Sequence, residues 1–226
     1  MTRPFLPLAA LCLVSAAAPA QKRAIDWSAT ARPLPSGAYL VGNPAARVKL
    51  VEYASYTCSH CAHFAVESKP VLKGSMIRSG STSMELRHLI RDALDLSAVV
   101  VARCAGPAGF ARTSDAIFAA QDRWLPQGAQ YDAANAAQAQ GQPLPARLRA
   151  LADGAGLSAI GRANGVTAAR LNACFADRAA IDRVIAASDA RPATIRSTPT
   201  FFLDGRQVPA ADWARLEPLL RAAGAK

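Results

Sequence analysis

Several chemistries are excluded by what this 226-residue chain has little of. It holds five cysteines, three histidines and 6% aromatic residues. The pair Cys58-Ser59-His60-Cys61 has no second Cys-x-x-Cys to accompany it, and Cys104 and Cys174 each stand alone. A structural zinc site usually takes two such pairs, or one pair and a spaced histidine pair. Here His63 is the one further ligand near the motif outside the pair, which argues against metal. Ala62 follows Cys61 where a haem anchor of the Cys-x-x-Cys-His type requires histidine. The net charge is +10, yet the arginines are scattered, with no basic run and no aromatic interleaving. That pattern speaks for a solvated basic surface and against a nucleic-acid partner. Past residue 20 no apolar stretch reaches the ~20 residues that span a bilayer.

The beginning of the chain has a clear layout. "MTRPFLPLAALCLVSAAAPA" carries Arg3, an apolar run from Phe5 to Ala17, and the ending Ala18-Pro19-Ala20. This is the arrangement of a secretory signal peptide cut after Ala20. Leu11 sits where a lipoprotein signal around Cys12 would want a small residue. Cleavage leaves a net charge of +9, since Arg3 is the one charge removed, and four cysteines in an exported chain. Disulfides persist in such a compartment. Four cysteines allow three pairings, one of which joins Cys58 to Cys61 and Cys104 to Cys174.

With 51% hydrophobic and 19% charged residues, the chain has material for one sizeable core. Residues 21–46, rich in Pro, Gly, Ser and Ala, read as an extended arm. In 47–94 a buried strand with Val48, Leu50, Val51 and Tyr53 leads to a helix from Cys58, which fades around Pro70 to Gly74, and then to a second strand in "SMELRHLIR". Residues 95–191 are alanine-rich and mostly helical, with Thr167 as a helix cap. In 192–226 the strand pattern returns as "TPTFFLDGRQVP". Asp204-Gly205 marks a two-residue hairpin, and an amphipathic helix closes the chain. The order describes an α/β domain interrupted by a large helical insertion between its second strand and the hairpin.

Redox chemistry is the leading reading of Cys58 and Cys61. A structural disulfide across so short a loop would constrain the unfolded chain little. Cys58 falls at a strand-to-helix junction, where free backbone N–H groups and the helix dipole favour a thiolate. His60, when protonated, would add to that. Cys61, one turn inward, is expected to be the more buried. Pro199 opens a strand, a place that suits proline only there or with a special peptide bond. Glu52 stands among Leu50, Val51 and Tyr53, which suggests burial and a functional acid rather than a solvent-facing strand position.

Together "VEYASYTCSHCAHF", "RSTPTFFLDG" and the helical block between them resemble the DsbA-like branch of the thioredoxin-fold disulfide oxidoreductases, from Val48 to the C-terminal helix. The resemblance implies a thioredoxin fold with Cys58 as the exposed nucleophile and Cys61 as its partner. It implies that Pro199 is a cis-proline facing them, that Thr198 pairs with substrate, and that Glu52 is the acid serving Cys61. Ser59 also faces the substrate, and it stands where many members have proline. Some relatives carry a second disulfide at positions like Cys104 and Cys174; two buried free thiols are the alternative. The activity implied is that of a periplasmic dithiol oxidase acting on reduced client proteins, with no cofactor. A membrane partner or small oxidant would recharge it. An isomerase or reductase kept reduced is the alternative, with a non-catalytic metal- or client-binding module behind it. The short arm leaves no room for the dimerisation domain of the family's isomerases, so a monomer is expected.

Overall fold

The stretch read as an arm folds into the sheet. The computed structural model describes residues 25–226; the predicted leader with Cys12 and the first four residues of the arm lie outside the described residues. Asp26 caps a short 3-10 turn at Trp27–Ala29 by accepting from Ser28 N at 3.0 Å. β1 (Ala31–Pro33) and β2 (Tyr39–Gly42) then pair antiparallel. These strands are too short to show a period of two, and Pro33 closes the first on the outer edge, where a proline is tolerated. Thus 21–46 is not wholly an appendage: β2 continues the sheet by pairing with β4.

The remaining elements follow in chain order. β3 (Val48–Ala54) runs into α1 (Ser59–Val71), which continues without a break as a π-helical turn at Leu72–Ile77. The helix therefore passes through Pro70 rather than fading there. β4 (Thr82–His88) ends short of the predicted Ile90 and Arg91. The insertion comprises α2 (Ala93–Cys104), α3 (Gly106–Ala119), α4 (Gln121–Ala134), α5 (Ala136–Ala139), α6 (Leu144–Gly154), α7 (Leu157–Ala163), α8 (Ala168–Ala176) and α9 (Arg178–Asp189). β5 (Thr200–Leu203), β6 (Arg206–Val208) and α10 (Trp213–Ala222) complete the chain.

The strand order is β1-β2-β4-β3-β5-β6. β3 is central, parallel to β4 and antiparallel to β5. A strand hydrogen-bonded on both edges and covered on its faces reads as an almost continuous apolar run, which is why 48–54 looks as it does. Asp204 and Gly205 both take positive φ, 49° and 83°, as a type I′ turn between β5 and β6 requires. Phe64 of α1 packs on Phe201 of β5 and Trp213 of α10, with ring centres 4.6 and 6.3 Å apart. Within the insertion, α2 is buried from Leu94 through Ala102, as befits a helix apolar all round. Trp124 belongs to that core, its indole N–H donating to the Ile117 carbonyl at 2.8 Å. The whole fold is a mixed α/β sheet domain with a helical insertion between β4 and β5.

Candidate active site

Everything near Cys58 depends on how the chain turns between β3 and α1. After Ala54 the backbone leaves the sheet, and Cys58 N donates to the Ser55 carbonyl at 3.2 Å. The buried Asp95 of α2 holds this turn from one side, accepting from Ser55 Oγ at 2.6 Å and Tyr56 N at 2.8 Å. Burial pushes its carboxyl up to about 6 despite these donors. From the other side the Gln121 amide donates to the carbonyls of Tyr56 and Cys58, at 2.6 and 2.9 Å. The Tyr56 hydroxyl donates to Ser114 at 2.8 Å, with its ring against His88 and Phe118. Neither Asp95 nor Gln121 was singled out in the sequence. Their partners are 39 to 65 residues away in the chain, and no local pattern announces such a contact.

The turn delivers Cys58 to the N-cap of α1, with Cys61 in the first turn behind it; both are free thiols. Cys58, expected as an exposed nucleophile, is only 5% exposed, while Cys61 is fully buried as expected; the turn and the Thr198 loop cover the outer sulfur as well. The Cys58 thiol is held down at about 4. The Cys61 thiol that donates to it is the main cause, helped by the Thr198 side chain and the backbone N–H groups of Cys61 and His60, against the cost of burial. Cys61 moves the opposite way, well above the ordinary thiol range, because it is the donor in that pair and is buried beside Glu52. One sulfur of the pair is thus built as a thiolate and the other as a thiol.

The Thr198–Pro199 peptide is cis, and the Thr198 carbonyl oxygen lies 3.2 Å from Cys58 Sγ, close enough to accept from it when the sulfur is protonated. Thr198, Pro199, Cys58 and Cys61 therefore meet in one place. Ser59 and His60 lie exposed on the first turn of α1, and His60 reaches the sulfur through its backbone N–H rather than its ring. Glu52 is 2% exposed and aligned with Leu86 on β4 and Phe201 on β5. Burial pushes its carboxyl up to about 8, with Lys73 pulling down and Cys58 and Asp115 pushing up. Both ring nitrogens of the half-buried His88 are shielded from solvent and without a partner, and its imidazole is driven down to about 3, a neutral group packed on Tyr56. Arg87 pairs with Glu85 and the Tyr53 hydroxyl, both at 2.8 Å. Away from this site, Cys104 and Cys174 form a disulfide joining the end of α2 to α8.

Among proteins of known structure, a protein-disulfide isomerase from Novosphingobium aromaticivorans matches with 31% identity and a TM-score of 0.73, covering 81% of this chain and 95% of that one. α-DsbA1 of Wolbachia pipientis shares the fold at 22% identity and a TM-score of 0.64, over 84% and 92%. Proteins named protein-disulfide oxidoreductases from Rickettsia bellii and Rickettsia typhi are 28% and 27% identical over 171 residues, 74% of this chain. The chain spans little more than half of their length, 57% and 55%. The family model described as thioredoxin matches residues 36–222, from the turn before β2 to the end of α10, so this chain belongs to the thioredoxin family, with the architecture of its DsbA-like disulfide oxidoreductases.

Proposed function

We propose that this protein is an exported thiol:disulfide oxidoreductase that works as a dithiol oxidase through Cys58 and Cys61. The observation that carries this reading is the opposed pair of thiols, Cys58 held down at about 4 and Cys61 raised. A sulfur stable as a thiolate is a good leaving group, so its mixed disulfide with a client is readily broken, and the stability of that thiolate favours the reduced protein. Between the folded value near 4 and the ordinary value of 9, the thiolate favours the reduced protein over its disulfide. That preference fades as pH falls toward 4.

In the forward reaction a client thiolate attacks Cys58 Sγ of the oxidised centre, and Cys61 leaves. A buried thiolate is costly, and Glu52, protonated up to about pH 8, is placed to give Cys61 a proton. The client chain lies along Thr198 and past Ser59, adding backbone hydrogen bonds beside the sheet. Its second thiol attacks the mixed disulfide and releases the protein with both cysteines reduced. A membrane partner or small oxidant returns the centre to the disulfide. The leader-like residues 1–20 support export to the periplasm, where such a cycle has clients.

The relative from Novosphingobium is described as an isomerase, which gives a second reading in which the pair is kept reduced. The reduction potential of Cys58–Cys61, measured against glutathione buffers, separates the two. A value near the ~−120 mV of DsbA, for which the DsbA-like branch is named, is expected for an oxidase. A value near the ~−270 mV of thioredoxin would overturn that reading in favour of a reductant.

A further inference from the structure

Glu52 Oε1 is buried and meets no hydrogen-bond partner. It faces a cavity of about 10 Å3, the size that holds about one water. The wall is apolar except for Ser68, Ser114 and Lys73. Lys73 also lines a groove of about 740 Å3 on the other side, between α1 and α3, that is open to solvent. Between the two spaces its ammonium pairs with the Asp115 carboxylate of α3, and these side chains are only 15% and 14% exposed. Lys69, 57% exposed, meets the same carboxylate at 3.6 Å from outside. Charged groups thus run in sequence from the core to solvent, through Glu52, Lys73, Asp115 and Lys69. The π-helical turn at Leu72–Ile77 carries Lys73 into that line, and such turns recur at functional sites.

We infer that Lys73, positioned by Asp115, is the outlet through which Glu52 exchanges its proton with solvent during the Cys58–Cys61 cycle. The inference rests on the redox reading above. As the client sulfur bonds to Cys58, the Cys58–Cys61 bond breaks with its electron pair on Cys61. That thiolate takes the proton of the Glu52 carboxyl. The carboxylate left behind faces the Lys73 ammonium and regains a proton from water in the outer groove. Water and the client thiol are the only reactants. The groups bearing on Glu52 are Cys58 and Asp115, which hold its proton on, and Lys73, which draws it off. Cys61 and the Tyr56–Ser114 hydroxyl pair complete the polar surroundings, and β4 and β5 place Leu86 and Phe201 alongside.

The test is the oxidation of reduced full-length protein by oxidised glutathione across the pH range, followed by loss of the ultraviolet absorbance of the Cys58 thiolate, because in this direction Glu52 must shed its proton to solvent before it can take that of Cys61. Lys73→Met is expected to slow the reaction about tenfold near neutrality, with most of the rate restored by Lys73→Arg. On a Glu52→Gln background the same change should cost less than about twofold, because the outlet then has nothing to serve. The midpoint of the pH profile should move up in Lys73→Met and down in Asp115→Asn, a shape-preserving variant that stands in if the first does not fold. A Lys73→Met profile superimposed on the wild type, or losses from Lys73→Met and Glu52→Gln that simply multiply, would overturn the inference alone. A wild-type protein inert to oxidised glutathione would take the redox reading down with it.

Discussion

The two cysteine pairs of this chain are opposites in almost every physical respect. Cys58 and Cys61 share the first turn of one helix, whereas Cys104 and Cys174 are 70 residues apart and join two helices of the insertion. A bond across the short gap barely restricts the unfolded chain, while one closing a long loop removes much of its freedom. Around the first pair the protein supplies a buried acid, a donor thiol, helix N–H groups and the Thr198 loop, each acting on a sulfur. The second bond ties α8 to α2 with none of this apparatus. The contrast teaches that loop length decides whether a disulfide can stabilise a fold, and the groups around its sulfurs decide whether it turns over.

The most drastic way to break the comparison is to exchange the consequences of losing each pair. Cys58→Ser should abolish dithiol oxidation of a reduced client peptide, because no other sulfur stands at the N-cap. The double variant Cys104→Ala, Cys174→Ala should keep its rate within about threefold, as expected for a distant site. A folded double variant with most of its activity gone would erase the distinction. The same variant sharpens the other half. Losing a 70-residue loop closure should cost about 4 kcal/mol of stability in the chain-entropy treatment, read as a fall in the urea midpoint.

Glu52 gives the next effect. Its carboxyl titrates at about 8 in the folded protein and near 4.5 in the unfolded chain. Between those values the unfolded state sheds its proton and the folded state does not, so stability falls as pH rises. From pH 4.5 to 7 the wild type should lose about 3 kcal/mol relative to Glu52→Gln, whose amide does not titrate. Denaturant melts at the two pH values measure it. Parallel stability curves would mean that Glu52 is ionised in the folded protein. On the function proposed above, that cost is carried for the chemistry of Cys58 and Cys61.

Local chemistry is what made part of this site legible. Cys58 at a strand-to-helix junction, Pro199 at the start of a strand, and Asp204-Gly205 between two strands each carry their meaning within a few residues. Glu52 was readable because its neighbours Leu50, Val51 and Tyr53 announce a buried strand. The hairpin of β1 and β2 was hidden because three- and four-residue strands carry no periodicity and look like a Pro- and Gly-rich arm. Lys73 and Asp115 were hidden for another reason. Each looks like an ordinary surface charge, and only the packing of α3 on α1 brings them to one half-buried edge. Distance along the chain is what sequence patterns do not span.

Gln121 tests that boundary, since it belongs to the insertion by position and to the redox turn by contact. Its amide is the donor tying α4 to the carbonyls of Tyr56 and Cys58, within a buried site. Gln121→Leu keeps the volume and removes the donors. The Cys58 carbonyl still accepts from Ala62 N, so the principal loss falls on the Tyr56 carbonyl. A buried acceptor left unpaired costs about 1–3 kcal/mol, which sets the expected fall in stability. The turn that presents Cys58 to its donors should loosen with it, so the Cys58 titration midpoint, followed by thiolate absorbance, should rise. A variant with lower stability and an unmoved midpoint would show that the insertion merely braces the turn. A shift in both would make α4 part of the apparatus that separates the working pair from the static one.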